Sequence, residues 1–331
     1  VIDPVVGAVV ECLRKQGVPE VEAVVAAVQE LAEDHWREVA GDAAAELEAE
    51  LAALPDTSPT SDVDPLAERT GAERRRLLET LVAALLLSFR RGLERPLPAR
   101  RRRAVREAAE RLLATGARTS GGSLRLASAP AQETLLAAER DLTLLLRGRA
   151  LQRADELERL VRLFLTDGAV RVPAEAGAGG GREAWRQELR AVLGLEGPSW
   201  VPATVAAWAY RWHNVGGFLA ATAGAVAPQT LVAFNNPPDG PDASTTPFCG
   251  IVHGRVVAVG RARQQLERYR RAVLSDDLDA AVGAWPLLSS GEANDVDRGR
   301  ALARFAGLGL PPYHWECRTV VIASALAPAA R

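Results

Sequence analysis

Apolar residues recur at spacings of three and four through most of the first two thirds of the chain, the period of an amphipathic helix. Val5–Leu13 and Val21–Leu54, rich in Ala, Leu, Val and Glu, predict helices on this basis. Asp56–Pro65 is a polar break with two prolines, and a second long pattern, Leu66–Leu93, is stopped by Pro96 and Pro98. Arg100–Leu113 predicts a shorter helix ending near Gly116. Thr119–Ser128 then holds a Ser-Gly-Gly turn that a short strand pair would suit. Ala131–Leu165 predicts the longest helix. Its stripe of Leu135, Leu142, Leu145, Leu146, Leu157, Leu160 and Leu163 fits bundle packing, with Gly148 and Gly168 as weakening and stopping points. The Gly-rich Ala176–Gly181 has no preceding strand, no lysine and no phosphate-loop spacing, and reads as a linker.

After a short helix at Arg182–Leu193 the texture changes near Gly197. A helix from Val201 carries Trp208, Trp212 and Phe218, and the β-branched Thr230–Phe234 predicts a strand. Asn235–Thr246 is turn-rich, and Ile251–Val259 reads as a strand interrupted by a turn at Gly254. Ala262–Leu274 and Arg298–Ala306 predict helices, and Arg318–Ser324 a buried strand. Helices first and mixed elements later predict an α+β protein: an extended, mostly α-helical N-terminal region over 1–196, a compact α+β domain over 197–324, and a loose tail at 325–331.

Charge adds a second pattern. The net charge of −2 hides a balance of −13 over Val1–Glu68, +10 over Arg69–Arg162 and +1 over the remainder. Acidic and basic segments that pack together, or on further copies of the chain, would explain this; so would a basic stretch that faces nucleic acid or an acidic partner. The densest basic run is Arg100, Arg101, Arg102 and Arg103. Lys15 is the single lysine, so the arginine excess reads as base composition before selection. The longest strongly apolar stretch, Leu81–Leu87, falls far short of the ~20 residues a membrane span needs. No charged-then-apolar leader opens the chain, so secretion by that route is not expected. The chain begins without methionine and contains none, which suggests a trimmed, processed or incompletely represented chain. Three cysteines, Cys12, Cys249 and Cys317, make no secreted disulfide framework, and a reducing compartment is expected.

With only four histidines and three cysteines in the chain, two segments stand out. Asp242–Arg255 contains Cys249-x3-His253, and Pro311–Arg318 contains His314-x2-Cys317. Thiolate and imidazole are the preferred donors for zinc, and four of them with no open position define a structural site. Cys249 and His253 would approach from a turn leading into a strand, and His314 and Cys317 from the loop before the last strand. Two other readings stand beside this one. The cysteines can be small buried hydrophobes with the histidines bonded to backbone, or they can form a Cys249–Cys317 disulfide, which a reducing compartment disfavours.

The spacing of Asp242, Thr245, Pro247 and Cys249, then Gly254, then Pro312, His314, Cys317 and Arg318 resembles the signature of Mu-F-like phage head-morphogenesis proteins. The resemblance covers about Val201–Ser324. Ser244 departs from it, since relatives commonly carry arginine there, and Arg261–Leu310 looks like a helical insertion between the motifs. The resemblance implies a non-catalytic minor head component, bound to portal or major capsid protein. It would act inside a virion or phage-like particle, be assembled in the host cytoplasm, and assist DNA packaging or ejection. A metal-dependent hydrolase or nuclease, or a phage-derived delivery or toxin fusion, are the alternatives. The deaminase pattern is missing: His253 is followed by Gly254 and Arg255, and Cys317 has no Cys-x-x partner. A hydrolase would need an open metal position and a general base, for which Glu316 is the one nearby acid.

Overall fold

A computed structural model describes residues 18–52, 71–95, 97–152, 159, 200–223, 230–235 and 241–324. The described residues form ten helices and three strands, an α+β fold dominated by helix. In chain order the elements are α1 (Val18–Ala52), α2 (Gly71–Glu94), α3 (Ala99–Thr119), α4 (Ala129–Gln152), α5 (Trp200–Thr222) and β1 (Thr230–Asn235). They continue with α6 (Pro247–Val252), β2 (Arg255–Val257), α7 (Val259–Leu274), α8 (Leu278–Ala284), α9 (Ser290–Asn294), α10 (Arg298–Gly307) and β3 (Thr319–Ser324). Among the described residues, no helix is long and apolar enough to cross a membrane. The expected helix at Val5–Leu13, the break at Asp56–Pro65, the linker at Ala176–Gly181, the helix at Arg182–Leu193 and the tail at 325–331 lie outside the described residues.

Two compact units are distinguished, and they interleave along the chain instead of dividing near residue 196. One comprises Val1–Glu30, Pro98–Leu145 and Pro202–Arg331; the other comprises Leu31–Leu97 and Leu146–Val201. In the second unit the indole of Trp36 stacks on Phe89 at 5.6 Å and meets Trp200 edge-on at 5.1 Å. Trp36, Phe89 and Trp200 are all buried, so these ring contacts form part of that unit's core.

The first unit is organised around α5, which is apolar on nearly every side and accordingly sits in the core. Val205, Trp208, Trp212, Val215 and Phe218 are all buried, and Trp208 Nε1 donates to the Ala138 carbonyl at 2.9 Å. Gly116 does not end α3 as its identity suggests; it lies inside the helix, where α5 crosses. A Cβ there would fall 1.8 Å from the His213 carbonyl oxygen, and one on Gly216 would fall 2.1 Å from the Leu113 carbonyl oxygen. The absent side chains let the two backbones touch, and that close approach outweighs the weak helix propensity of glycine.

A charged cluster lies inside this apolar core. Arg211 Nη1 donates to both oxygens of Asp141, at 3.3 and 3.1 Å, and Trp212 Nε1 donates to Oδ2 at 2.8 Å. The Tyr269 hydroxyl also donates to Asp141, and the Arg211 guanidinium lies over the rings of Tyr269 and Trp285, 4.4 and 4.9 Å from their centroids. The four bonds satisfy a carboxylate that burial alone would make very costly to ionise.

The sheet has the order β2-β1-β3 and is antiparallel throughout. β1 pairs with β3 from Thr230↔Ser324 to Asn235↔Thr319, and with β2 from Leu231↔Val257 to Ala233↔Arg255. The expected strand at Ile251–Val259 is shorter than its β-branched residues suggest. Ile251 and Val252 close α6, and Val259 opens α7. Gly254, at φ +75°, makes the turn into β2 and donates its N–H to the Ala233 carbonyl. On its outer side β3 is sealed by Asn214 of α5. The Asn214 side chain donates to the Thr319 carbonyl at 3.0 Å and accepts from Val321 N–H at 2.7 Å, so one amide replaces a further strand. The long segment between the motifs is helical, as expected, and forms α7 to α10.

Candidate metal centre

The first donor is set by a helix cap. Thr246 is the N-cap of α6 and Pro247 its first residue, a pairing in which proline loses nothing because that N–H has no helical partner. Thr246 Oγ1 accepts from the backbone N–H of Cys249, which fixes the cysteine in the first turn. Upstream, Asp242 shapes the approach: its carboxylate accepts from Ser244 N–H at 3.0 Å, from the Ser244 hydroxyl at 2.7 Å and from the Thr245 hydroxyl at 3.1 Å.

The second segment is held from several sides. Gln265 accepts from Leu310 N–H at 2.6 Å, and Trp285 Nε1 donates to the Pro312 carbonyl at 3.2 Å. Tyr313 is buried against Phe248 and Phe305, and its carbonyl accepts from Leu288 N–H at 2.7 Å. Cys317 N–H turns back to the His314 carbonyl at 3.2 Å. Both candidate donors of this loop, His314 and Cys317, are therefore placed by the packing of the segment around them.

The two segments meet. Cys249 Sγ lies 3.1 Å from His314 Nε2 and 3.6 Å from Cys317 Sγ, and the three donor atoms lie within 4.8 Å of one another. Both cysteines are free thiols, 1% exposed, and His314 is 8% exposed. A tetrahedral zinc with bond lengths of about 2.3 Å to sulfur and 2.0–2.1 Å to nitrogen separates sulfur from nitrogen by roughly 3.6 Å and sulfur from sulfur by roughly 3.8 Å, so the two sulfurs are nearly spaced for it and His314 would draw back by about 0.5 Å. A buried group of Cys249, His314 and Cys317 that could hold a metal ion is thus present.

His253 is a correction to the four-ligand expectation. It does not join the group; it is the C-cap of α6, with φ −56° and ψ 130°, and its N–H bonds the Cys249 carbonyl. A continuing helix would have placed position i+4 beside Cys249, but the chain leaves the helix at His253 itself. Two hydroxyls adjoin the donors instead: Thr246 Oγ1, 3.2 Å from His314 Nε2, and Thr319 Oγ1, 3.6 Å from Cys249 Sγ. Neither is among the candidates read from the sequence; the threonine–proline step at Thr246 is a helix-start signal that could have found the first, and Thr319 has no local signal for such a place.

The electrostatics suit a site that shares a proton. The Cys249 thiol is pushed up, by its hydrogen bond to Cys317 and by burial. Burial also opposes ionisation of Cys317, but hydrogen bonds from Cys249 and His314 and the charge of His314 hold it well below the ordinary thiol value. The first proton therefore leaves the pair readily and the second does not. A Cys–His contact of 3.1 Å is also the spacing of a nucleophile and its base. Here the sulfur is buried, and the shallow groove lined by Ala258, Gly260, Arg261 and Glu267 includes none of the three donors.

Arg100, Arg101, Arg102 and Arg103 occupy the first turn of α3, with Arg101 half-buried and the other three exposed. No acidic side chain shares that turn, so the positive end of the helix is reinforced, not neutralised.

No protein-family model, curated protein or solved structure matches this chain.

Proposed function

We propose that this chain is a minor head-morphogenesis component of a phage or prophage-derived particle, docking to portal or capsid subunits and assisting DNA packaging or ejection. In this reading Cys249, His314 and Cys317 hold a structural zinc ion that fastens the C-terminal fold. The observation that carries it is the convergence of the two segments on which the family resemblance rests. They approach at two points, the buried donor group and the ion pair between Arg318 and Asp242. The donor set supports zinc among the common ions, since thiolate and imidazole suit a borderline-soft cation better than calcium or magnesium. The burial of all three donors supports a structural role, because a catalytic ion needs a position that substrate can reach. The exposed arginines of α3 supply a surface for phosphate contacts.

Two measurements test this. Elemental analysis of the purified full chain should find about one zinc per chain, lost in Cys249→Ser and His314→Ala. Co-expression with the portal and major capsid subunits of a candidate particle should yield a complex that survives purification. A chain that carries no zinc and stays free of both subunits would sink the proposal.

A further inference from the structure

Cys249 and Cys317 stand 68 residues apart in the chain, and both are reduced, with their sulfurs 3.6 Å from each other. A disulfide requires about 2.03–2.05 Å, so the bond is roughly 1.5 Å of sulfur movement away. The pair lies where α6 meets the loop before β3, and the atoms around it are small: His314 Nε2 and the Thr319 hydroxyl contact Cys249 Sγ at 3.1 and 3.6 Å. Each cysteine is 1% exposed. A bulky disulfide such as glutathione disulfide is therefore kept away from the sulfurs, whereas a molecule the size of water or hydrogen peroxide needs only slight local opening.

We propose that Cys249 and Cys317 form a peroxide-sensitive switch, in which oxidation to a disulfide takes away two of the three metal ligands. The release of metal rests on the zinc reading above; formation of the sulfur–sulfur bond does not. The chemistry balances in two steps. One sulfur attacks the O–O bond of hydrogen peroxide, forming an S–O bond and expelling hydroxide, which leaves as water after taking a proton. That sulfur has lost two electrons and the peroxide has gained them. The second sulfur attacks the first, the S–S bond forms as the S–O bond breaks, and the departing hydroxide takes the remaining proton as a second water. Two thiols and one hydrogen peroxide have become one disulfide and two waters; in the metal-loaded chain, where both sulfurs are thiolates, solvent supplies the two protons and the ion departs. With both thiolates consumed, His314 alone remains to hold the ion. A dithiol reverses the change by exchange and restores the donor set. The nearness of the second sulfur makes condensation intramolecular, ahead of further oxidation to sulfinic acid.

The test uses the full chain carrying Cys12→Ser, which leaves one possible intramolecular pair, loaded with zinc and exposed to hydrogen peroxide. Intact mass after alkylation should show loss of two hydrogens and no alkylated thiol. Peptide mapping should join Cys249 to Cys317, and a chromogenic chelator should register about one zinc released per disulfide. Dithiothreitol should reverse all three, and the same concentration of glutathione disulfide should produce none of them. In Cys317→Ser, peroxide should instead drive Cys249 to sulfinic acid. Thiols still open to alkylation after peroxide, or sulfinic acid in place of the link, would overturn the switch. If zinc is bound and no link forms, the switch fails and the zinc reading stands. If the link forms in a chain that never held zinc, the switch stands and the zinc reading fails.

Discussion

Arg318 Nη2 donates to both carboxylate oxygens of Asp242, at 3.2 and 3.0 Å, across 76 residues of chain. Each partner sits just outside a segment that carries candidate metal donors: Arg318 follows Cys317, and Asp242 opens the turn that leads to Cys249. Hydrogen bonds from Ser244, then Arg318 and Thr245, hold the Asp242 carboxyl well below the usual carboxylate range. It therefore keeps its charge through any ordinary change of pH. Both side chains are partly exposed, so the pair adds little to stability and acts mainly on position. If the donor group holds zinc, Asp242→Asn should weaken its binding by about tenfold, the low end of the range for residues that orient ligands. Competition with a chelator of known affinity measures it, and an unchanged affinity would show that the pair positions nothing.

The crossing of α3 on α5 depends on two missing side chains. Gly116→Ala and Gly216→Ala each place a methyl group within about 2 Å of a backbone carbonyl oxygen that no rotamer change can move aside. Each should cost roughly 3 kcal/mol or more in urea unfolding. Gly41→Ala, a helical position with nothing within 4 Å, is the control and should stabilise by about 1 kcal/mol.

His213 is fully buried on α5, and burial lowers its pKa to about 4. Its Nδ1 has no hydrogen-bond partner. In the unfolded chain the same group titrates near 6.5. Between those values the unfolded state binds more protons, so stability is complete above about pH 6.5 and is lost as pH falls toward 4. The full window is worth roughly 3 kcal/mol. Urea unfolding at a series of pH values should show that slope, and His213→Gln should flatten it. An unchanged slope in the variant would place the acid sensitivity elsewhere.

The buried Asp141–Arg211 pair predicts an asymmetry. Removing Arg211 alone, as Arg211→Met, leaves Asp141 with two neutral donors in the core and should cost about 3–5 kcal/mol. Adding Asp141→Leu to it should recover part, not all, of that loss: the uncompensated carboxylate is gone, but Trp212 Nε1 and the Tyr269 hydroxyl lose their acceptor. A double-mutant cycle read by thermal unfolding decides this; losses that simply add would contradict it.

Neutralising Arg100, Arg102 and Arg103 to Gln should leave thermal stability nearly unchanged, since all three are exposed. If the first turn of α3 meets DNA, the same change should reduce duplex affinity. The slope of log affinity against log salt should then fall by up to about 3, roughly one for each phosphate no longer neutralised. Equal slopes for the two proteins would remove DNA from the account of this surface.

The helices were legible where periodicity was strong: α1, α2, α5, α7 and α10 lie where the apolar spacing placed them. Gly116 misled because its role is set by α5, an element 84 or more residues later that no local pattern reveals. Ile251 and Val252 misled for a related reason. Their β-branched side chains favour a strand, but the Thr246 cap and Pro247 start a helix first, and Ile251 and Val252 complete its last turn. Three of the four candidate ligands could be named from rarity and spacing alone. His253 pairs with Cys249 in the sequence only if a turn and a strand follow the cysteine; a helix forms there instead and ends at His253, which stays outside the donor group. Nothing in the sequence pointed to Asp141, Arg211 and Tyr269 as one cluster, since each alone looks like an ordinary surface residue.

The Asn214 amide that closes off β3 makes the small sheet directional. Growth by adding a strand is barred on that flank, and the opposite flank offers three residues, beginning with the charged Arg255. Among the described residues, then, no long ribbon edge is available for copies of this chain to zip together, however crowded they become. Whatever self-association occurs there has to run through side chains.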